Sequence, residues 1–337
     1  MTAGEDRAHA IAPSVTLLVI AYRMRATIGE AVRAALAQTH PCDIIVSDDS
    51  SGDGTLEAAR EAIADDPRAA RVTLRSTARN LGLCAHMNEL AQLARGDILV
   101  CSSGDDISYP QRVRELVDAF AANPRGQLVG SSVDDVDAGG KLLAANVRGL
   151  PQRVDQRWFL HRGKLVTVLG ASMAVRRELL TALPPLQGTV EDNMLSLRAV
   201  LLGDCLCLQR PLLAYRLHGG NLNDWMFDRS GDDYAAYERR HRRVIAMYRD
   251  IAADQRRCVA ARPGLPEERR QLGLSLAEMY ELEAEMREAV LDRPRPQWIG
   301  PLWRGLRHPG LRRKSAERAL KLLLPRRWFG SVAKLKN

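Results

Sequence analysis

The sequence predicts an α/β fold, a mostly parallel sheet flanked by helices, followed by a helical C-terminal extension. Three observations carry that prediction. Short apolar runs rich in β-branched residues alternate with amphipathic segments about every 25 residues through the first hundred positions, the pattern of a sheet covered on both faces. Two of those runs end in paired carboxylates, Asp48-Asp49 and Asp105-Asp106, at the strand ends where open α/β sheets bind ligands. Beyond about Ser230 the apolar residues recur only at helical spacing.

In order, a polar leader runs to about Pro13, and residues 15–21 read as a buried strand. Ile28, Val32, Ala35 and Leu36 then recur at threes and fours, which makes a helix. Residues 44–46 form the next strand and deliver Ser47 to Thr55 into a loop, where Ser51 or Asp53 caps a helix reaching about Ala64. Residues 72–74 are a third strand and 81–93 a helix. Residues 98–100 are a fourth strand, which carries Asp105 and Asp106 into a loop before a helix that opens near Pro110. Met194, Leu195, Leu197, Val200 and Leu201 form a helical set behind Glu191-Asp192. Tyr234, Tyr237, Val244, Ile245 and Tyr248 mark a further helix. Another carries Leu272, Leu276, Met279, Leu282, Met286 and Val290 in one stripe after the Pro263 to Pro266 break. That stripe packs on the α/β domain or on a second copy, which leaves a homodimer open; intramolecular packing is the simpler outcome.

With 337 residues, 46% apolar and 27% charged, the chain has room for one large domain and an appendage. Its net charge of +8 belongs to the tail, where eleven Lys and Arg stand against one Glu from Pro301 onward. No apolar run approaches the ~20 residues of a bilayer span, and Glu5 and Asp6 precede the first strand, so neither a span nor a signal peptide is expected. Six cysteines without a Cys-x-x-Cys pair point to reduced thiols in a cytoplasmic protein. Residues 298–337 interleave Trp298, Trp303, Leu311, Leu320, Trp328 and Phe329 with the cations. This composition suits a peripheral position on an anionic membrane surface, the alternatives being a disordered or packed basic terminus or a nucleic-acid tail. No nucleic-acid partner is expected.

The strand ends narrow the ligand. Tyr22-Arg23-Met24-Arg25 stands where Gly-x-Gly-x-x-Gly would follow the first strand of a dinucleotide domain, and no P-loop is present. Ionised carboxylates only accept hydrogen bonds, so they suit the imide N–H of uracil or thymine and the hydroxyls of a ribose. Adjacent carboxylates also suit a hydrated divalent cation that bridges phosphates. Taken singly, each pair is equally a turn or a helix cap.

Together the motifs say more. Asp48-Asp49-x-Ser51-x-Asp53-Gly54-Thr55 is followed by Asn80-x-Gly82 with Asn88, Gly96-Asp97, and Gly104-Asp105-Asp106 with Pro110. Gly170-Ala171-Ser172 with Arg176-Arg177, Glu191-Asp192 with Leu195 and Arg198, and Tyr215-Arg216-Leu217-His218 complete the series. In order and spacing, over roughly residues 14 to 225, this set resembles the family 2 glycosyltransferases of the GT-A fold. The resemblance implies a GT-A-type sheet with a Rossmann-like nucleotide-binding half at 14–110 and an acceptor half at 111–228; it fades beyond about Ser230, where helical spacing gives the extension at 229–337. It implies an inverting, metal-dependent hexosyl transfer from a nucleotide-diphosphate sugar, UDP or dTDP, to a glycan or lipid-linked acceptor in cell-surface polysaccharide or lipopolysaccharide synthesis.

By the same resemblance Asp49 receives the nucleobase, with Tyr22, Asn80 and Gly82 also at the nucleotide, and Asp105 faces the ribose. Asp106 and His218 hold Mg²⁺ or Mn²⁺, and Asp192 is the general base. Asp48, Asn88, Glu191 and Arg216 belong to the same motifs, Glu191 orienting the base and Arg216 lying near the diphosphate. Two departures concern the donor: of the usual Pro-x-Tyr-Asn only Tyr22 is retained, and Met87 replaces an arginine before Asn88. His86 and His161 have no such context and stay structural or unassigned. Trp158, Phe159 and Trp225 form an acceptor platform or pack in the core. The alternative function is a nucleotide-sugar or glycan-binding module without turnover, which needs Asp49 and not Asp192.

Overall fold

The computed structural model describes residues 13–163, 165–218, 234–325 and 328–329. The leader, Trp225, the boundary near residue 228 and the last residues of the basic tail lie outside the described residues.

The strands are β1 (Val15–Ala21), β2 (Asp43–Asp48), β3 (Val72–Ser76), β4 (Ile98–Ser103), β5 (Ile107–Ser108), β6 (Gly126–Val136), β7 (Leu142–Val147), β8 (Arg153–Val154), β9 (Ala174–Arg176) and β10 (Asp204–Arg216). The described helices are α1 (Ile28–Leu36), α2 (Thr55–Glu61), α3 (Leu83–Leu93), α4 (Arg112–Ala122), α5 (Gln156–Arg162), α6 (Glu178–Thr181), α7 (Glu191–Leu202), α8 (Tyr234–Ala261), α9 (Glu267–Asp292), α10 (Ile299–Arg307) and α11 (Arg312–Ala319).

One sheet runs β3-β2-β1-β4-β9-β6-β10-β5, with β7 beside β6 and β8 beside β10. β3, β2, β1 and β4 are parallel, as the apolar runs predict. β9 then enters antiparallel to both β4 and β6, and β10 runs parallel to β6. This arrangement brings the C-terminal ends of β2, β1, β4 and β10 to one edge.

Alternation along β1 divides the core. Leu17 and Val19 join Ile28, Val32, Ile44, Val46, Val100 and Phe120 on one face. Leu18 belongs to the other cluster, which holds Leu99, Met173, Met194, Leu195, Tyr248, Leu276, Trp298 and Phe329. The helical extension therefore closes the same core that the sheet opens. The α9 stripe packs inward, with Leu276, Met279, Met286 and Val290 buried.

The tail divides. Pro301 sits in the first turn of α10 and Pro309 in the break before α11, so the chain folds back in short helices rather than one long one. Trp298, Leu302, Leu311 and Phe329 are buried, and Lys314 and Arg318 reach the buried Glu283 at 3.4 and 2.7 Å. Part of the tail's aromatic and basic content is thus packing. Ile299, Trp303, Leu320, Leu323 and Trp328 stay exposed. All six cysteines are free and buried. Among the described residues no helix is long and apolar enough to cross a membrane.

Candidate functional site

At the end of β2 the two carboxylates have separate tasks. Asp49 Oδ1 accepts from Thr77 Oγ1 and Leu81 N, each at 2.9 Å, and its Oδ2 accepts from Gly82 N at 2.9 Å. It thereby shapes the turn that carries exposed Asn80 and ends at Gly82, whose φ of +77° suits glycine. Asp48 accepts from Ser51 N at 3.0 Å, from the Ser51 hydroxyl and from Ser76 Oγ at 3.3 Å. Neither expected residue is the N-cap of α2: that position is Gly54, without a side-chain cap bond, and Asp53 just before it accepts from Thr55 N at 3.0 Å. Arg23 N donates to Ser51 Oγ at 2.6 Å and Met24 N to Thr55 Oγ1 at 3.0 Å, which knits the β1 tip to the β2 tip. Tyr22 is exposed there, with the Arg23 guanidinium 5.1 Å from its ring centre.

Asp105 and Asp106 lie between β4 and β5, and both are buried. Asp106 Oδ1 accepts from Arg216 N at 2.9 Å, while its Oδ2 is buried with no hydrogen-bond partner among the described residues. Burial, and then the charge of Asp105, drive the Asp106 carboxyl well above the usual carboxylate range. Asp105 Oδ2 meets His218 Nε2 at 2.8 Å. Arg216 is committed to the protein: Nε donates to Asp105 O at 2.9 Å, and its terminal nitrogens donate to Ala138 O and Glu30 at 2.6 Å. The end of β10 is clamped onto the acid loop.

Arg112, a residue the sequence reading missed, secures that loop from beneath. It is fully buried and donates to Ser108 Oγ at 2.8 Å, to Cys101 O at 2.5 Å and to Ala171 O at 2.6 Å. Burial lowers its pKa to about 10, against the pull of Cys101 and Asp106. The Ala171 bond ties the acid loop to the short turn at Gly170–Ser172, which abuts the start of α7. A Cβ on Gly170 would stand 2.4 Å from Glu191 Oε1, so glycine makes room for that carboxylate, while Asp192 Cβ, 3.6 Å away, would be in ordinary contact. Asp192 Oδ1 is buried without a partner among the described residues. Burial pushes Asp192 up to about 6, and burial with repulsion from Asp192 pushes Glu191 up to about 8. Such a pair can hold and release a proton near neutral pH.

The register of β1 against β2 and β4, Ala21 opposite Asp48 and Ile20 opposite Ser103, sets the two acid loops side by side. Tyr22, Asp48, Asp49, Asn80, Gly82, Asp105, Asp106, Arg216 and His218 therefore share one edge of the sheet, and Arg112 links it to Glu191 and Asp192. Asn88 is elsewhere: its amide exchanges two 2.9 Å bonds with the backbone of Leu186. His86 is buried on Ser47 Oγ at 2.6 Å and His161 bonds Arg157 O at 2.7 Å. Phe159 is in the core with the Trp158 ring edge-on at 5.0 Å.

Among the described residues no cluster of three or more His, Cys, Asp or Glu is arranged to hold a metal. The chemistry still fits a hard cation, because Mg²⁺ and Mn²⁺ sites that act on phosphates take only one or two carboxylates and fill the rest with substrate oxygens and water. The partnerless Oδ2 of Asp106 is the protein oxygen such an ion would use. His218, in contrast, spends its Nε2 on Asp105.

The family described as Glycosyl transferase family 2 matches residues 16–183, nearly half of the chain, including both acid loops. EpsE of Bacillus subtilis (strain 168), which its name assigns to the glycosyltransferases, is 28% identical over 141 residues, 42% of this chain and 50% of that protein. The succinoglycan biosynthesis protein ExoO of Rhizobium meliloti (strain 1021) is 34% identical over 146 residues, 42% of this chain and 40% of that protein. These matches span half or less of each relative's length. Among solved structures, residues 1–349 of S. aureus TarS in complex with UDP-GlcNAc superpose with a TM-score of 0.57 at 16% identity, covering 86% of this chain and 79% of that one. The mannosyltransferase PcManGT from Pyrobaculum calidifontis, in complex with GDP-Man and Mn²⁺, gives 0.54 at 17% identity, covering 94% and 88%. At such identities the likeness is one of fold, and it takes in the helical extension as well as the sheet. The motif series, the edge on which it converges and the match over residues 16–183 agree: residues 16–183 are a glycosyl transferase family 2 region, and the chain has a GT-A-type α/β fold.

Proposed function

We propose that this chain moves a single sugar, with inversion, from a nucleotide-diphosphate sugar to a hydroxyl of a glycan or lipid-linked acceptor in cell-surface polysaccharide synthesis. The observation that carries the reading is the buried, partnerless Oδ2 of Asp106 beside Asp105, on the edge shared with Asp49. The solved neighbours in complex with UDP-GlcNAc and GDP-Man support a nucleotide-sugar donor, and the relative named for succinoglycan synthesis supports a polysaccharide product.

In this reading Asp49 and its turn receive the nucleobase, and exposed Tyr22 lies beside it. Asp105, steadied by His218 and Arg216, faces the ribose. Asp106 holds the cation, which when bound neutralises charge developing on the leaving diphosphate. Asp192 takes the proton from the acceptor hydroxyl as it attacks the anomeric carbon from the face opposite the leaving group. Its raised pKa suits that task, since a base works best when its pKa lies near the working pH. Glu191, retaining its proton longer, orients Asp192.

The test is calorimetry of the purified chain against UDP, GDP, dTDP and CDP, each with and without Mg²⁺ or Mn²⁺. One diphosphate should bind with the metal and lose binding in Asp106→Ala. Asp192→Asn should retain that binding and lower turnover of the matching sugar nucleotide by about 10²–10⁴-fold. Unchanged turnover in Asp192→Asn removes the base assignment, and absence of nucleotide binding under every metal removes the donor site.

A further inference from the structure

The face left open by the folded-back tail is unlike the rest of the surface. Ile299, Trp303, Leu320, Leu323 and Trp328 are each at least half exposed. In α10, Ile299 and Trp303 are four residues apart on one side, away from buried Pro301 and Gly305, and the Arg307 guanidinium lies 4.8 Å from the Trp303 ring centre. Leu320 and Leu323 are three apart in a 3₁₀ turn, where such residues eclipse. Two contacts hold the segments that carry these stripes against each other. Buried Trp298, adjacent to Ile299, packs on Phe329, adjacent to Trp328, with ring centres 6.4 Å apart, and Arg295 donates to Leu324 O at 2.6 Å at the end of the 3₁₀ turn.

The charge around this patch is mostly positive, although Glu285 of α9 pairs with Arg304 at 2.5 Å. From Arg293 to the end of the chain the sole acid is Glu317, and Arg313 is at 3.3 Å from it. Arg304, Arg307, Arg312 and Arg313 are exposed on the two short helices. A two-fold dimer through this face would bring two such basic surfaces together, which is repulsive. Nucleic acid would find phosphate partners and two stacking tryptophans, yet it would leave the aliphatic Ile299, Leu320 and Leu323 without a match. Indole and aliphatic side chains ringed by arginine suit a headgroup layer of negative charge.

We propose that this face docks the chain on an anionic membrane surface, the five exposed apolar side chains entering the headgroup region and the arginines meeting lipid phosphates. The face lies outside residues 16–183, and its test reads binding alone, so it stands or falls separately from the transfer reaction.

The experiment is flotation of the full chain with phosphatidylcholine vesicles, with and without phosphatidylglycerol. The chain should float with the anionic vesicles, stay behind with phosphatidylcholine alone, and detach as salt rises. The double variant Trp303→Ser with Leu323→Ser, and separately Arg307→Glu with Arg312→Glu, should each bind about tenfold more weakly with an unchanged circular dichroism spectrum. These positions are exposed, so folding should survive. Equal binding to both vesicle types, no binding to the anionic ones, or full binding by both variants overturns the proposal. So does a dimer in size exclusion that the same variants dissolve, or retention on RNA in place of vesicles.

Discussion

Two carboxylates at the start of a buried helix oppose folding once they ionise, and Glu191 shows how much. The helix N-terminus favours negative charge, but burial and Asp192 push the other way and raise Glu191 to about 8. In the unfolded chain its pKa is near 4.3. As pH rises from about 4 to about 8 the unfolded chain gives up this proton while the folded one keeps it, so folded stability declines across that window. Glu191→Gln cannot ionise. It should melt close to the wild type at pH 4 and progressively higher than it up to pH 8, as followed by thermal denaturation across pH; a difference independent of pH would mean that Glu191 ionises freely in the fold. Asp105 and Asp106 were legible as candidate residues because paired acids at a strand end carry a chemical meaning. Arg112 was not, because nothing in the sequence distinguishes an arginine that snorkels to solvent from one that spends its donors on Ser108, Cys101 and Ala171.

Between elements, one fully buried coupling is the ion pair of Arg198 on α7 with Asp254 on α8. Both side chains are fully buried, their bonds are 2.6 and 2.8 Å, and Arg198 also donates to Leu179 O and Pro184 O. Removing the carboxylate leaves a guanidinium buried beside apolar groups, so Asp254→Ala should cost about 3–5 kcal/mol. Denaturant unfolding measures it directly, and a loss below about 1 kcal/mol would mean that water or another acid replaces the partner. The same pair explains part of what sequence could not reveal. Arg198 was visible within a motif, but its partner, 56 positions away, lies where the motif series has ended. The parallel strands were legible because burial on both faces leaves continuous β-branched runs. The sheet beyond β4 was less so. β9 is three residues long, and β10 contains Pro211, which argues against a strand until the register shifts on either side of it are seen to accommodate the missing donor.

At the scale of the molecule, the family match ends at residue 183 while the core does not. The cluster that begins with Leu18 and Leu99 on the sheet is completed by Tyr248, Ile251, Leu276, Met279, Met286, Trp298 and Phe329 from the extension. A fully buried side chain of this size contributes about 1.5–3 kcal/mol, and a domain's whole stability is about 5–15 kcal/mol. Losing even a handful of these contacts exceeds the margin, and Arg198 would be left without Asp254 as well. A chain ended after residue 230 retains every proposed catalytic and nucleotide-binding residue in sequence, so a motif-based division would expect it to work. The packing predicts otherwise: the fragment should aggregate, or should lose its near-ultraviolet circular dichroism and cooperative melting while keeping helical and strand signal. Adding the separate 231–337 segment in trans should restore cooperative melting in proportion to its concentration, since association supplies the missing core. A truncated chain that melts cooperatively and binds nucleotide unaided would show instead that the sheet and α7 close their own core, and that the extension is an independent unit resting on it.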